Sequence, residues 1–263
     1  MKYLTLLLLA LGLWSSDSSA SVVITNGLTH SFDMVSGNSQ KGYIMLQNVS
    51  KKPQRVVVYK NDLSVGCEGD GLAIEEPAST ERSNVSWIEL SMEERTLAPG
   101  EKYSLTYEVQ APAKNLTGSY WGLLMVEVKK PIDTLSSRKG VSISSNIRYA
   151  VQIITNFTSS KTTDVQFADV GYAEETQSRK LNIRLFNNSE RLVSPDVKIE
   201  VYDDNGEIIY YKKADSKKLY PEQCRNFIVP IEDIPSGKYQ AVIVADCGES
   251  DLFGMTLNLE VDE

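Results

Sequence analysis

Ala98-Pro99-Gly100-Glu101-Lys102-Tyr103-Ser104-Leu105-Thr106-Tyr107-Glu108-Val109 is the stretch that sets the fold class. After the Pro-Gly turn, Tyr103, Leu105, Tyr107 and Val109 fall on one side of the chain, and Ser104, Thr106 and Glu108 on the other. An extended chain points alternate side chains to opposite faces, so this is an antiparallel strand with one face in a core and one in water. Outward from it, further strands read at 42–48, 55–62, 85–90, 120–129 and 141–155. Helical periodicity is nearly absent. The chain therefore reads as all-β, with short strands joined by turn residues, the pattern of an immunoglobulin-like sandwich.

From Thr155 to Thr163 the sequence is polar and has no apolar period, which marks a domain boundary. Beyond it the alternation restarts at Val165–Tyr172, Leu181-Ile183-Leu185, Val197-Ile199-Val201, 208–212, 226–231, 239–245 and 255–261. Two tandem sandwiches are expected, an immunoglobulin-like one over 21–158 and an immunoglobulin- or fibronectin-like one over 159–263. Asp204-Asn205-Gly206 predicts a tight hairpin with positive φ at both central turn residues.

Residues 1–20 have the parts of a secretory signal: Lys2, an apolar run from Tyr3 to Trp14, and small Ser18 and Ala20 where a signal peptidase reads. The mature chain is expected to begin near Ser21, outside the cytoplasm of a bacterium. The apolar run is shorter than the ~20 residues a membrane-spanning helix needs, and no second run follows, so no integral membrane segment is expected after cleavage. The net charge of −8 repels phosphate backbones and anionic headgroups, which argues against nucleic acid as a partner.

Three cysteines are too few for a disulfide scaffold, and their spacing is not that of a zinc site. Cys224 and Cys247 lie nearly equidistant from the Pro235-Ser236-Gly237 turn. They pair as a disulfide if the flanking strands run back beside each other, and otherwise stay two separate thiols; Cys67 is left over. The only histidine, His30, would have to anchor any catalytic triad, and no nucleophile elbow accompanies it. Acidic groups at Glu68, Asp70, Glu75 and Glu76, and at Asp203, Asp204 and Glu207, sit in turn-rich loops where solvated carboxylates are ordinary. Neither a metal nor a cofactor is expected, and the chain reads as non-enzymatic. Asn48, Asn84, Asn115, Asn156 and Asn187 begin Asn-X-Ser/Thr triplets, which carry no glycosylation meaning in a bacterial chain.

Over residues 21–158 the order of motifs resembles two families. The motifs are Gly42-Tyr43-Ile44-Met45-Leu46-Gln47-Asn48-Val49-Ser50, Val56 to Tyr59, Ser86-Trp87-Ile88, Leu97-Ala98-Pro99-Gly100-Glu101, Ser119-Tyr120-Trp121-Gly122 and a long final strand. They are similar to the N-terminal domain of periplasmic pilus chaperones, of the PapD-like immunoglobulin fold, and to the WxL-interacting surface proteins. The first resemblance, covering about half the chain, implies that the final strand donates alternating apolar side chains to an incomplete fimbrial subunit. Here those residues are Val141, Ile143, Ile147, Tyr149, Val151 and Ile153. The alternative is that they face their own core. The resemblance also implies an Arg and a Lys gripping the partner's terminal carboxylate, but Thr29 or His30 and Gln152 stand at those positions. The second resemblance implies a resident surface scaffold or adhesin binding peptidoglycan or partner proteins, with Tyr120-Trp121-Gly122 in place of its aromatic sugar-binding stretch.

Overall fold

The computed structural model describes residues 21–67, 72–77, 80–129, 146–158, 162–172, 179–248 and 251–261. Residues 1–20, where a signal is expected, and Glu68, Asp70, Val141 and Ile143 lie outside them. The described chain is nearly all β, and its one helical turn is a 3-10 turn at Val85–Trp87, within a segment that the alternation alone assigns to a strand.

The first sandwich contains β1 (Val22–Ile24), β2 (Thr29–Asp33), β3 (Ser39–Asn48), β4 (Gln54–Val65), β5 (Leu72–Glu75), β6 (Ile88–Leu90), β7 (Glu94–Leu97), β8 (Lys102–Gln110), β9 (Gly118–Lys129) and β10 (Ile147–Phe157). One sheet runs β1-β3-β8-β6 and the other β2-β10-β9-β4-β5, with β7 also on β4. The opening segment thus changes sheets: β1 pairs antiparallel with β3, and after Gly27, at φ +89°, β2 pairs parallel with β10. Leu105, Tyr107 and Val109, on the inward face read from the sequence, are buried with Ile44 and Leu46 against Val56, Val58, Leu124, Val126 and Val151 of the facing sheet.

The second sandwich contains β11 (Val165–Tyr172), β12 (Lys180–Asn187), β13 (Asp196–Tyr202), β14 (Ile208–Lys213), β15 (Cys224–Pro230), β16 (Gly237–Asp246) and β17 (Leu252–Val261), in sheets β11-β12-β15 and β14-β13-β16-β17. Its own core joins Leu181, Ile183, Leu185, Phe227 and Val229 to Val197, Ile199, Val201, Ala241 and Ile243. The β13–β14 hairpin forms as expected, but only Gly206 of its turn has positive φ. Asp203 Oδ1 instead accepts the amides of Asn205 and Glu207, both at 2.9 Å, in an Asx-type turn.

The same fastener recurs in both sandwiches. Asn48 donates to the carbonyls of Lys52, Leu97 and Ala98 while its Oδ1 accepts from Ser50 N and Oγ. Asn187 donates to Arg191 and Leu219 while its Oδ1 accepts from Ser189 N and Oγ. Both asparagines are wholly buried. These Asn-X-Ser triplets are turn devices, because a buried amide must satisfy its polar atoms within the protein.

The sandwiches meet along β9. Gly118, at φ +75°, lies where a Cβ would stand 2.1 Å from Glu190 O, and Ser119 N donates to that carbonyl at 2.8 Å. Only a residue without a side chain allows this approach.

Candidate functional site

β9 is buried on both faces. Leu124, Val126 and Val128 fill the first core, whereas Trp121, Leu123 and Met125 form a separate cluster with Leu63 of β4, Ile154 of β10 and, from the second sandwich, Tyr220. The tertiary cause is visible in the sequence as an unbroken apolar run, Leu123-Leu124-Met125-Val126, where a half-buried strand would alternate.

Next to this cluster lies a cleft of about 490 Å³ walled by both sandwiches. Leu28, Thr29, Leu63, Leu72, Ile74, Leu123, Ala150 and Gln152 come from the first, and Lys218, Tyr220 and Arg225 from the second. Thr29 and Gln152 are register partners in β2 and β10. Lys218 Nζ donates to Thr29 Oγ1 at 3.0 Å, and Gln152 Nε2 donates to Tyr220 Oη at 2.5 Å. Burial away from water lowers the Lys218 pKa. Although the whole chain carries −8, the described residues that line this cleft include two cations and no carboxylate. The positions where the resemblance implies an Arg and a Lys are thus uncharged, but the second sandwich brings cations to them. That arrangement leaves no local trace in the sequence.

β10 passes the cleft with unequal neighbours. It pairs with β9 from Ile147 to Phe157, but with β2 only from Gln152 to Asn156. Gln152 N donates to Leu28 O, so by the two-residue period the backbone groups of Ala150 and Arg148 face the same side. Among the described residues no strand pairs there. Val151 and Ile153 are wholly buried in the first core, which corrects the expectation that their side chains reach a partner. The inward face of the strand needs them to close its own sandwich. Tyr149 is half-buried and donates to Val22 O at 2.6 Å; Ile147 is half-buried at the start of the strand.

The cysteines pair differently from the expectation. Cys67 bonds to Cys224, 157 residues away, and Cys247 is free. β15 and β16 belong to opposite sheets, so the turn at 235–237 crosses the sandwich rather than closing a hairpin that would align Cys224 with Cys247. Burial, with Asp251 and Asp246 nearby, pushes the Cys247 thiol up to about 11.

His30 Nδ1 lies 2.7 Å from Tyr107 Oη, and the rings stack, linking β2 to β8 across the core. Desolvation lowers its pKa, so a neutral imidazole serves here as a tie between sheets. Of the acids, Glu76 is exposed, and Glu75 holds Asn61 Nδ2 through its backbone carbonyl. Backbone amides, first that of Glu207, depress the Asp203 pKa. Among the described residues no group of three or more His, Cys, Asp or Glu could hold a metal ion, and no helix is long and apolar enough to cross a membrane. Trp121 is buried with its Nε1 on Leu63 O, and Tyr120 packs on Trp87 and Phe157, so this stretch offers no open aromatic platform for a sugar.

The arrangement of two immunoglobulin-like sandwiches is a fold shared with solved structures of fimbrial chaperones. A solved structure described as a chaperone–tip adhesin complex in CFA/I fimbriae biogenesis matches over 91% of this chain and 98% of its own, at 16% identity and TM-score 0.50. The class 5 fimbrial chaperone CfaA matches over 92% and 100%, at 14% identity and TM-score 0.49. The CsuC–CsuE chaperone–tip adhesion subunit pre-assembly complex of Acinetobacter baumannii matches over 89% and 98%, at 14% and 0.49. The first of these likenesses spans both sandwiches, beyond the half from which the motifs were read. No protein-family model and no curated protein sequence matches the chain.

Proposed function

We propose that this chain is an exported, non-catalytic chaperone that holds fimbrial or other envelope subunits during assembly. It pairs a partner strand with the 141–153 edge and seats the partner's chain end in the cleft between its sandwiches. The observation that carries this reading is the half-open strand: among the described residues β10 is covered by β2 only from Gln152 onward, and its open stretch, 147–151, ends at the cleft that Lys218 lines. An open strand edge is a template for another chain, and a cationic end to it fits a terminal carboxylate. The fold shared with a chain of a chaperone–tip adhesin complex supports the same partner class. Export rests on the signal at residues 1–20, and we take the working units to be 21–158 and 159–263.

The test is calorimetric titration of the mature protein with a peptide of alternating apolar residues, once with a free C-terminal carboxylate and once amidated. Charge-assisted hydrogen bonds contribute about 1.5–3 kcal/mol, so the acid should bind at least about tenfold more tightly. Equal affinities would refute the seating of a chain end in the cleft.

A further inference from the structure

The two sandwiches are joined covalently at two places. One is the chain itself, which leaves β10 at Phe157 and enters β11 at Val165; the other is the bond from Cys67, just after β4, to Cys224 at the start of β15. β10 and β4 flank β9 in one sheet, so the tethers stand on opposite sides of the strand along which the sandwiches meet, at least two strand spacings or about 10 Å apart. A single tether lets a body swivel about it in any direction, whereas two leave only a rocking motion about the line that joins them. The rocking is opposed by non-covalent contacts. The Tyr220 ring packs on Trp121 and its Oη accepts from Gln152, while Ser119 donates to Glu190 O and accepts from Leu192 N. Tyr220 and Cys224 belong to one turn, closed by Gln223 N on Tyr220 O, so the bond also keeps the Tyr220 ring close to Trp121.

We infer that Cys67–Cys224 is a redox-operated clamp on the relation between the sandwiches: oxidised, it confines them to one arrangement, and reduced, it frees the second to swivel on the chain connection alone. The reductant is a dithiol. Cys224 is buried and Cys67 exposed, so a thiolate of the dithiol attacks Cys67 Sγ, the Cys67–Cys224 bond breaks, and Cys224 leaves as a thiolate that takes up a proton. The second thiol of the dithiol then attacks its partner sulfur in the mixed disulfide and releases the Cys67 thiol. Two electrons and two protons pass from the dithiol to the protein, and a disulfide oxidant reverses the exchange. Cys247 is the one free thiol, and burial holds it protonated, so it competes poorly for either sulfur. No partner contact enters the clamp, which works whatever the chain holds.

The experiment is amide hydrogen exchange, followed by NMR, on the mature protein oxidised, reduced with dithiothreitol, and as Cys67→Ser/Cys224→Ser. Alkylation and mass spectrometry confirm three thiols in the reduced chain against one in the oxidised. The amides of Ser119 and Leu192 are each bonded across the interface, so they report its opening directly. They should exchange about tenfold or more faster in the reduced protein and in the variant, while Val126 and Ile183 in the two cores keep their protection. Reoxidation should restore slow exchange in wild type and change nothing in the variant. Unchanged exchange at Ser119 and Leu192 after full reduction overturns the clamp. Faster exchange throughout both cores also overturns it, because the bond would then support folding at large rather than the interface. Exchange that stays fast after the bond has re-formed overturns its redox operation.

Discussion

Lys218 Nζ stands 3.0 Å from Thr29 Oγ1, a hydrogen bond from the second sandwich to the residue that faces Gln152 in the parallel β2–β10 pair. The ammonium is partly desolvated and has a neutral acceptor, so an arriving carboxylate would improve its surroundings. Lys218→Gln should weaken capture of a free-carboxylate peptide by about tenfold or more and reduce the salt dependence of binding. The thermal midpoint should fall by only a few degrees, because the ammonium is partly exposed and its single hydrogen bond to Thr29 competes with water. Binding unchanged at every salt concentration would remove Lys218 from the site.

The strand from 141 to 153 divides by burial into two tests. Val151→Lys places a charge in the wholly buried first core, where it has no room to be solvated, and should lower the thermal midpoint sharply. Ile143→Lys, on the partner side of the proposed edge, should abolish capture of an alternating apolar peptide and leave the midpoint nearly unmoved. A collapsed midpoint for Ile143→Lys would assign that residue to the chain's own core and end its role in pairing.

The pH dependence follows from His30. Burial lowers its pKa in the folded protein below 6.5, so the unfolded chain binds more protons between those two values. Stability should therefore fall as pH drops below about 6.5, and level off beneath the folded pKa. Glu127, held below its usual 4.5 first by Lys129 and also by Arg148, contributes a separate loss at lower pH. Thermal midpoints between about pH 7.5 and 5.5 should decline for wild type and stay flat for His30→Gln. A parallel decline in both would assign the effect to other groups.

Limited proteolysis tests the proposed division at 158. Cleavage in the polar run between Thr155 and Thr163 should yield two fragments that migrate together on a denaturing gel without reductant. They should separate once Cys67–Cys224 is reduced. Fragments that separate without reductant would contradict the bond between the sandwiches.

The sequence by itself determined the fold class and the inward faces. Tyr103 to Val109 alternates because a strand presents every second residue to the core, and that period survives in any arrangement of the strands. It also determined that His30 is the only imidazole available to any chemistry. Which strands become neighbours was decided by tertiary structure alone, since alternation says which face is buried but not against what. Thus β15 and β16 flank one turn yet lie in opposite sheets, and Cys224 bonds to a cysteine from the other sandwich rather than to Cys247. Val151 and Ile153 share the period of the residues assigned to a partner, and only burial separates the two uses. The cleft was the least legible feature, because Thr29, Gln152, Lys218 and Arg225 are ordinary polar residues in sequence. Their meeting in one place depends on how the two sandwiches pack, a non-local relationship that no local pattern records.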